Sequence, residues 1–394
     1  MNLRRPFIAC LSLLLAACGG SPTPSGGGRN PPTLEAPAQF AQDVTEPISL
    51  ASVSRLKYLG RLTQPETPGT LFSVSLSPDG TRLAGINDSL LLSWNLTDGA
   101  LLIQTSRQGV MQVYYSPDKT EIYGVTEEGA VLVFNADSGA VVDSFRGVER
   151  FAQVATFDPF NGWLALGGQD GSVKVWDPFE RRALATIQAH SAPVTALAFS
   201  ADGEEIISAA GDRLLRRFRW SDRTLTAERE IGRASSLLRL AASPSGDWIV
   251  VSTDFNATLW SVSDPARVVA LETGQGGANQ LLTFSPDGRF LVAGNRVGGL
   301  TLWDIASARL AARLPQTISS RTAAAFAPSG DLLITSALDV GVSLWNLQQV
   351  TAQTINQAAL SVGTTRIHDV AWTPDERLLL LFDAGGAVYL WGVG

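Results

Sequence analysis

The sequence predicts an all-β protein built from similar repeats, and three observations support this prediction. Aromatic residues recur at the ends of alternating apolar segments, at spacings of 40, 42, 42, 42, 43, 42 and 46 residues. Turn-forming Pro, Asp, Ser and Gly residues recur in the same register, and no stretch beyond residue 50 has a convincing helical period. The recurring aromatic residues are Trp94, Phe134, Trp176, Phe218, Trp260, Trp303, Trp345 and Trp391.

Within a repeat, the predicted elements follow a fixed order. An apolar strand leads into a turn such as Ser-Pro-Asp-Gly at residues 77–80 or 285–288, and two further strands follow. Pro fixes φ near the start of such a turn, Asp or Ser bonds the local backbone, and Gly takes the positive φ. Repeats of about 40 to 45 residues are typical of propeller blades. We therefore predict a β-propeller of eight blades, each with four antiparallel strands, and keep seven blades as the alternative because Phe134 and Phe218 replace Trp.

The ends of the repeats carry a more specific resemblance. Val-Lys-Val-Trp-Asp at residues 173–177 and Leu-Trp-Asp at residues 302–304 have the Trp-Asp ending of WD40 repeats, and the chain resembles that family over about residues 53–394. The resemblance implies that each repeat ends on the third strand of its blade, so the last repeat lacks a fourth strand. We expect residues near 53–62 to supply it, closing the ring by pairing an N-terminal strand with the C-terminal blade. The propeller domain is predicted to span residues 51–394.

The N-terminal residues have the organisation of an export signal. Arg4 and Arg5 precede an apolar run over residues 7–15, which is far shorter than the ~20 residues that a membrane span needs. Leu-Ala-Ala-Cys at residues 15–18 resembles the lipobox of bacterial lipoproteins. That resemblance implies removal of residues 1–17 and acylation of Cys18, with an extracytoplasmic location at the bacterial cell membrane or outer membrane.

The segment that follows, residues 18–50, is rich in Gly and Pro and is predicted to be a flexible tether. The whole chain has a net charge of −7, which disfavours binding to nucleic acid in general. Its two cysteines are Cys10 and Cys18, so the mature propeller would contain neither a disulfide nor a catalytic thiolate.

No motif for catalysis or for a metal or cofactor is present, and we expect no catalytic residue. Several turn acids superficially resemble calcium ligands, but they occupy equivalent places in separate blades, so we interpret them as turn residues. These acids are Asp79, Asp118, Asp202, Asp287 and Asp375.

Three polar residues stand out at single positions. WD40 blades often contain a buried network of His, Ser or Thr, Asp and Trp, and His190 precedes Ser208 and Asp212 in such an order, with Phe218 at the Trp position. We expect a structural His190–Asp212 hydrogen bond, with proton transfer as the alternative, and the same for His368, which precedes Asp369. Arg217 occupies a position that is apolar in most other repeats, so its guanidinium must pair with a carboxylate or reach solvent. We expect an ion pair between blades or a local register shift, with a role in lining the central channel as the alternative.

The predicted function is that of a membrane-anchored scaffold for protein–protein interaction, because loops at the rim of a propeller can vary without disturbing its sheets. It would act as a monomer that binds a protein or peptide. One alternative is a propeller lipoprotein that assists assembly of outer-membrane or envelope proteins, and another is a small-ligand sensor or a propeller enzyme with a site over the central channel. Arginines in the loops that enter the blades could form a binding rim for acidic peptides. They are Arg107, Arg150, Arg233, Arg321 and Arg366.

Overall fold

The computed structural model describes residues 44, 46–62, 65, 68–158, 161–200, 202–231, 237–253, 257–262, 264, 266–271, 279–295, 299–314, 322–337, 341–348, 350, 357–360 and 367–393. These residues form 32 strands in eight four-stranded antiparallel sheets, and one short 3-10 helix at Val53–Arg55. The predicted all-β fold with eight blades is confirmed, and the seven-blade alternative is wrong. Among the described residues, no helix has the length and apolar character to cross a bilayer.

Blades 1 to 4 follow one another along the chain, and in each the strands pair in sequence order. Blade 1 contains β2 (Ser73–Leu76), β3 (Arg82–Ile86), β4 (Leu90–Asn95) and β5 (Leu101–Ser106). Blade 2 contains β6 (Val110–Tyr115), β7 (Glu121–Thr126), β8 (Ala130–Asn135) and β9 (Val141–Arg146). Blade 3 contains β10 (Ala152–Asp158), β11 (Trp163–Gly168), β12 (Ser172–Asp177) and β13 (Arg182–Gln188). Blade 4 contains β14 (Val194–Phe199), β15 (Glu205–Ala210), β16 (Leu214–Arg219) and β17 (Thr224–Glu230).

Blades 5 to 8 repeat this arrangement, and blade 8 takes its outermost strand from the N-terminal side of the chain. Blade 5 contains β18 (Leu237–Ala242), β19 (Trp248–Thr253), β20 (Ala257–Ser261) and β21 (Val268–Leu271). Blade 6 contains β22 (Asn279–Phe284), β23 (Phe290–Asn295), β24 (Leu300–Asp304) and β25 (Arg309–Leu314). Blade 7 contains β26 (Thr322–Phe326), β27 (Leu332–Ala337), β28 (Gly341–Asn346) and β29 (Gln357–Leu360). Blade 8 contains β30 (Ile367–Trp372), β31 (Leu378–Asp383), β32 (Val388–Val393) and β1 (Leu56–Arg61).

The core is divided among the blade interfaces rather than gathered in one centre. Eight clusters of buried apolar side chains lie one between each pair of neighbouring blades, including one that joins blade 8 to blade 1. In that cluster Trp94 of blade 1 packs with Leu380 and Leu390 of blade 8. Burying one such side chain contributes about 1.5–3 kcal/mol, so every interface stabilises the ring.

The predicted closure of the ring by an N-terminal strand is confirmed. β1 pairs antiparallel with β32, with Leu56 opposite Val393 and Tyr58 opposite Trp391. Residues 53–55 differ from the expectation, since they form the 3-10 turn that leads into β1. The fold also begins before residue 51, because Ile48 is fully buried against blades 7 and 8 and Glu46 forms a β-bridge with Val393.

Candidate functional site

The connections from the outermost strand of one blade to the first strand of the next lie at one end of the ring, which we call the loop face. Its connections include residues 107–109, 147–151 and 189–193. Arg107 and Arg150 of the expected binding rim lie in the first two. The remaining predicted site residues lie outside the described part of the chain, and they are Cys18, Arg233, Arg321 and Arg366.

The described part of the loop face has a mixed charge. The Arg107 guanidinium lies over the Phe72 ring, 5.1 Å from its centroid, whereas Arg150 is exposed. Acidic side chains occupy the same end, among them the exposed Glu127 and Glu149. Glu149 accepts a 2.6 Å hydrogen bond from Lys174, so part of the positive charge at this end is already paired.

His190 forms the expected polar network at the edge of the loop face. Its Nδ1 lies 3.0 Å from the Asp212 carboxylate, and its Nε2 lies 2.9 Å from the Ser208 hydroxyl. The Ser191 N–H also donates to Asp212, over 3.2 Å. The ring is almost fully buried, and both nitrogens have partners, so His190 fixes the entry to blade 4 as the sequence predicted.

The electrostatics of this network favour a neutral imidazole. Burial lowers the pKa of His190, and the nearby Asp212 carboxylate only partly opposes that effect. Burial also acts to raise the pKa of Asp212, but hydrogen bonds from Ser191, Leu214 and His190, and attraction to the ring whenever it is protonated, more than offset it and lower that pKa. The chemically consistent arrangement is a neutral histidine that donates from Nδ1 to an ionised Asp212 and accepts from Ser208 at Nε2.

Phe218 stands where most blades have a tryptophan, and Arg216 approaches the network. The Arg216 Nη1 donates to the Ala189 carbonyl over 2.6 Å and lies 3.3 Å from Asp212. Its Nε donates to Glu228 over 2.6 Å. The guanidinium therefore links the loop-face network to the outermost strand of blade 4.

Beside this network, an open groove lies between the outer strands of blades 3 and 4. We call it the His190 groove, and its volume is about 540 Å³. One wall is apolar, since it includes Leu225, which is 46% exposed. The side chains that matter for its chemistry are Gln188, His190, Arg216, Phe218, Leu225 and Glu228. The sequence identified His190, with Phe218 at a tryptophan position, but it did not identify the other side chains that line the groove.

Arg217 does not line the central channel, and that interpretation is wrong. It lies on the third strand of blade 4, opposite Ile207, and its guanidinium forms an ion pair with Glu205 of the neighbouring strand in the same blade. Both side chains are mostly buried, 17% and 15% exposed. The expected ion pair between blades is also wrong, because Glu205 belongs to the same blade as Arg217.

The turn acids serve the turns, as the sequence predicted. Ser77 donates to Asp79 over 2.7 Å, Ser116 donates to Asp118 over 2.6 Å, and corresponding bonds form in other blades. Burial acts to raise the pKa of Asp79, but hydrogen bonds from Lys119, Ser77 and Thr81 more than offset it, so that pKa falls well below its usual range. In the described ranges no three metal-ligating side chains cluster.

His368 and Asp369 are not equivalent to His190 and Asp212. His190 lies in a connection before its blade, whereas His368 is the second residue of β30 itself. Asp369 is buried on the same strand, and its carboxylate accepts a 2.8 Å hydrogen bond from the Val370 N–H.

Comparison with known proteins places this architecture in a family. Residues 100–298, about half of the chain, match the family model of the nucleolar protein 10-like N-terminal domain, a β-propeller. The chain belongs to this family of WD40-type β-propellers. The propeller is also similar to the crystal structure of the computationally designed Ika8 protein, with a TM-score of 0.67 and 18% identity over 84% of this chain and 98% of that chain. This likeness concerns the fold alone.

Proteins from several eukaryotes are similar to this chain in sequence. Periodic tryptophan protein 2 of Arabidopsis thaliana is 24% identical over 62% of this chain and 27% of its own length. Transducin beta-like protein 3 of Bos taurus is 30% identical over 43% of this chain and 22% of its own length. Telomerase protein component 1 of Mus musculus is 26% identical over 64% of this chain and 10% of its own length. The match thus covers roughly a quarter or less of each relative's length.

Proposed function

We propose that this propeller is a non-catalytic interaction scaffold that binds an extended segment of a partner protein in the His190 groove. The observation that carries the proposal is the combination of a groove of about 540 Å³ with an adjacent sheet edge. β17 is the outermost strand of blade 4, so its outer backbone groups have no partner strand in the sheet. An extended peptide can add to such an edge through main-chain hydrogen bonds, while alternate side chains enter a neighbouring pocket.

The lining of the groove defines the chemistry of the partner segment. Phe218 and the half-exposed Leu225 offer apolar surface to one partner side chain. Arg216 is already engaged by Asp212 and Glu228, but the Glu228 side chain is 43% exposed and can accept from a basic residue. We therefore expect a segment with an apolar residue flanked by a basic one. Beyond the groove, the loop-face arginines would contact acidic parts of the same partner.

We further propose that the scaffold works as a monomer, without a cofactor, at a membrane surface outside the cytoplasm, anchored through acylated Cys18. Support for the anchor comes from the Leu-Ala-Ala-Cys sequence at residues 15–18 and the Gly- and Pro-rich segment after it. Metabolic labelling with a palmitate analogue, followed by membrane fractionation, tests this part. Cys18→Ala is expected to abolish labelling and release the protein, and retention of label in that variant would refute the anchor.

Site-specific photo-crosslinking in intact cells tests the groove. A crosslinking amino acid replaces Leu225 in one variant and Val142, an exposed residue on the outer strand of blade 2, in the control. We expect a discrete protein adduct from position 225, none from position 142, and a weaker adduct from position 225 when Glu228→Lys is added in the same groove. Equal adducts from both positions would exclude the groove as the binding site, and this outcome is independent of the result for Cys18.

A further inference from the structure

Two arginines of blade 4 share the face that packs against blade 5. Arg217 lies opposite Ala227 and Arg229 lies opposite Leu215, so the two arginines are diagonal neighbours on one side of the β16–β17 pair. Leu215 packs into the apolar cluster formed with Ile249, Val251 and Trp260 of blade 5. Both arginines therefore face the wedge between blades 4 and 5, on the opposite side of the sheet from the His190 groove.

The wedge contains three buried donors that have no hydrogen-bond partner among the described residues. They are Arg217 Nε, Arg229 Nη1 and Trp260 Nε1. The Arg229 guanidinium lies over the Trp260 ring, 5.0 Å from its centroid, and Trp260 is only 7% exposed. A buried donor that forms no hydrogen bond is unfavourable, so a cluster of three indicates that an acceptor belongs there.

Tryptophans at the equivalent positions of three other blades have different surroundings. The Trp176 indole N–H donates to the Gly147 carbonyl, and the Trp345 indole N–H donates to the Thr335 hydroxyl, each over 2.8 Å. Trp391 also has an unpartnered N–H, but its neighbour is the Tyr58 ring, 5.9 Å away, rather than a cation. The pairing of a free indole N–H with a guanidinium therefore distinguishes Trp260 from these three.

The charged side chains described in the wedge leave it with a net positive charge. Glu205 is the carboxylate paired with Arg217, which leaves the second guanidinium, that of Arg229, without an acidic partner in the described residues. Residue alternation directs the neighbouring Glu228 to the other face, where it pairs with Arg216. Ile249 and Val251 form an apolar floor, and the low dielectric there strengthens attraction to an anion.

We infer that the wedge between blades 4 and 5 is a binding site for an oxyanion, either a carboxylate or a phosphate group. Guanidinium and indole groups only donate, so the ligand must supply acceptors, and the planar fork of arginine suits the oxygens of these two groups. Arg229 is partly exposed on the outermost strand of blade 4, so an anion can approach from the outer rim of the ring. This site is independent of the partner-binding groove.

Titration with inorganic phosphate and, separately, with acetate tests the site, followed through the Trp260 Nε1–H resonance in nitrogen-15 NMR spectra. We expect a saturable shift of that resonance with at least one of the two anions at constant ionic strength. Arg229→Gln is expected to weaken binding about tenfold or more, because it removes a charge-assisted hydrogen bond. Glu205→Gln is expected to strengthen binding, because it removes the opposing charge.

Arg267→Gln is the matched control, because the Arg267 guanidinium lies over the Trp248 ring in the same blade, 4.8 Å from the centroid. It should bind as the unchanged protein does. Saturation by phosphate alone or by acetate alone identifies the ligand group. Absence of a saturable shift with both anions, or equal loss of binding in Arg267→Gln and Arg229→Gln, would overturn the inference. If Arg229→Gln does not fold, Trp260→Phe removes the indole donor and should weaken binding measured by calorimetry.

Discussion

Asp369 is a buried carboxyl group on the first strand of blade 8, and its surroundings disfavour its charge. Burial raises its pKa to about 7, although the hydrogen bond from the Val370 N–H acts in the opposite direction. A group of this kind remains protonated in the folded protein at a pH where it is ionised in the unfolded chain. Folding therefore becomes less favourable as the pH rises from about 4 to 7.

Replacement of this residue should show the effect directly. A rise in pKa from 3.8 to about 7 corresponds to about 4 kcal/mol of stability lost by pH 7. Asp369→Asn does not titrate, so its gain in stability over the unchanged protein should be greatest above pH 7 and vanish below pH 4. Urea unfolding at pH 3.5, 5.5 and 8 measures the difference. The exposed Asp88→Asn serves as control, and a gain that is independent of pH would contradict the prediction.

The His190 network makes a second prediction for single residues. Asp212→Asn removes the charge that holds the His190 ring, and Ser208→Ala removes the donor to Nε2. Each should lower the free energy of unfolding by about 1–3 kcal/mol, since each leaves a buried polar atom poorly paired. Asp170→Asn is the control, because Asp170 occupies the corresponding turn of blade 3 and bonds Ser172 instead of a histidine. Equal losses in Asp212→Asn and Asp170→Asn would exclude a special role for the network.

Among the elements, the strand that closes the ring has the greatest effect on its neighbours. β1 covers the outer edge of β32, and Tyr58 contacts Trp391, with ring centroids 5.9 Å apart. Without β1, blade 8 has an exposed edge. The apolar cluster between blades 7 and 8 also loses the side chains that β1 packs against it, including Leu56.

Deletion of residues 50–62 is therefore expected to lower the melting temperature of the whole ring and promote aggregation. Differential scanning calorimetry and light scattering measure both effects. A deletion of equal length within the predicted tether, residues 30–42, serves as control and should leave the melting temperature unchanged. A truncated protein that melts like the intact one would show that the ring does not depend on this strand.

Sequence periodicity determined the strands well because each blade repeats the same requirement for buried apolar faces. The aromatic positions mark the third strand in all eight blades, and the strand expected near residues 53–62 is present. Ion pairs were harder to predict from the sequence, because they depend on which diagonal positions of neighbouring strands come together. Arg217 shows this limit: the sequence required a carboxylate but did not identify Glu205, which lies near it only through the register of β15 and β16. The groove and the wedge also depend on blade packing, which periodicity does not describe.

For the molecule as a whole, the network of turn carboxylates links stability to pH in the opposite direction from Asp369. Burial acts to raise the pKa of Asp118, Asp170 and Asp212, but hydrogen bonds to the ionised forms more than offset it, so all three values are lowered. For Asp202, hydrogen bonding from Ser200 is the largest cause of a lowered pKa. These groups stabilise the fold above pH 4, and that stabilisation is lost as the pH falls below 4.

We therefore expect cooperative acid unfolding of the ring below about pH 4. Circular dichroism at pH 2 to 6, in 0.1 and 0.5 M salt, measures the transition. Asp118→Asn should be less stable at pH 6 by about 1 kcal/mol and should lose less stability on acidification than the unchanged protein. A transition that coincides in the two proteins, with equal stability at pH 6, would show that the turn bonds do not contribute.

The pairing of Leu56 with Val393 has a consequence for the time at which the ring can form. The two strands are separated in the chain by the other seven blades, and the loss of entropy on closing so long a loop must be compensated by contacts that form last. Since β32 is synthesised long after β1, blade 8 cannot be completed until the other seven blades have been synthesised. Until then β1 is a solitary strand and seven blades have open ends, a state exposed to mispairing with other chains. Closure of the ring is thus a late kinetic event, and slow synthesis of the strands of blade 8 would extend the lifetime of the aggregation-prone intermediate.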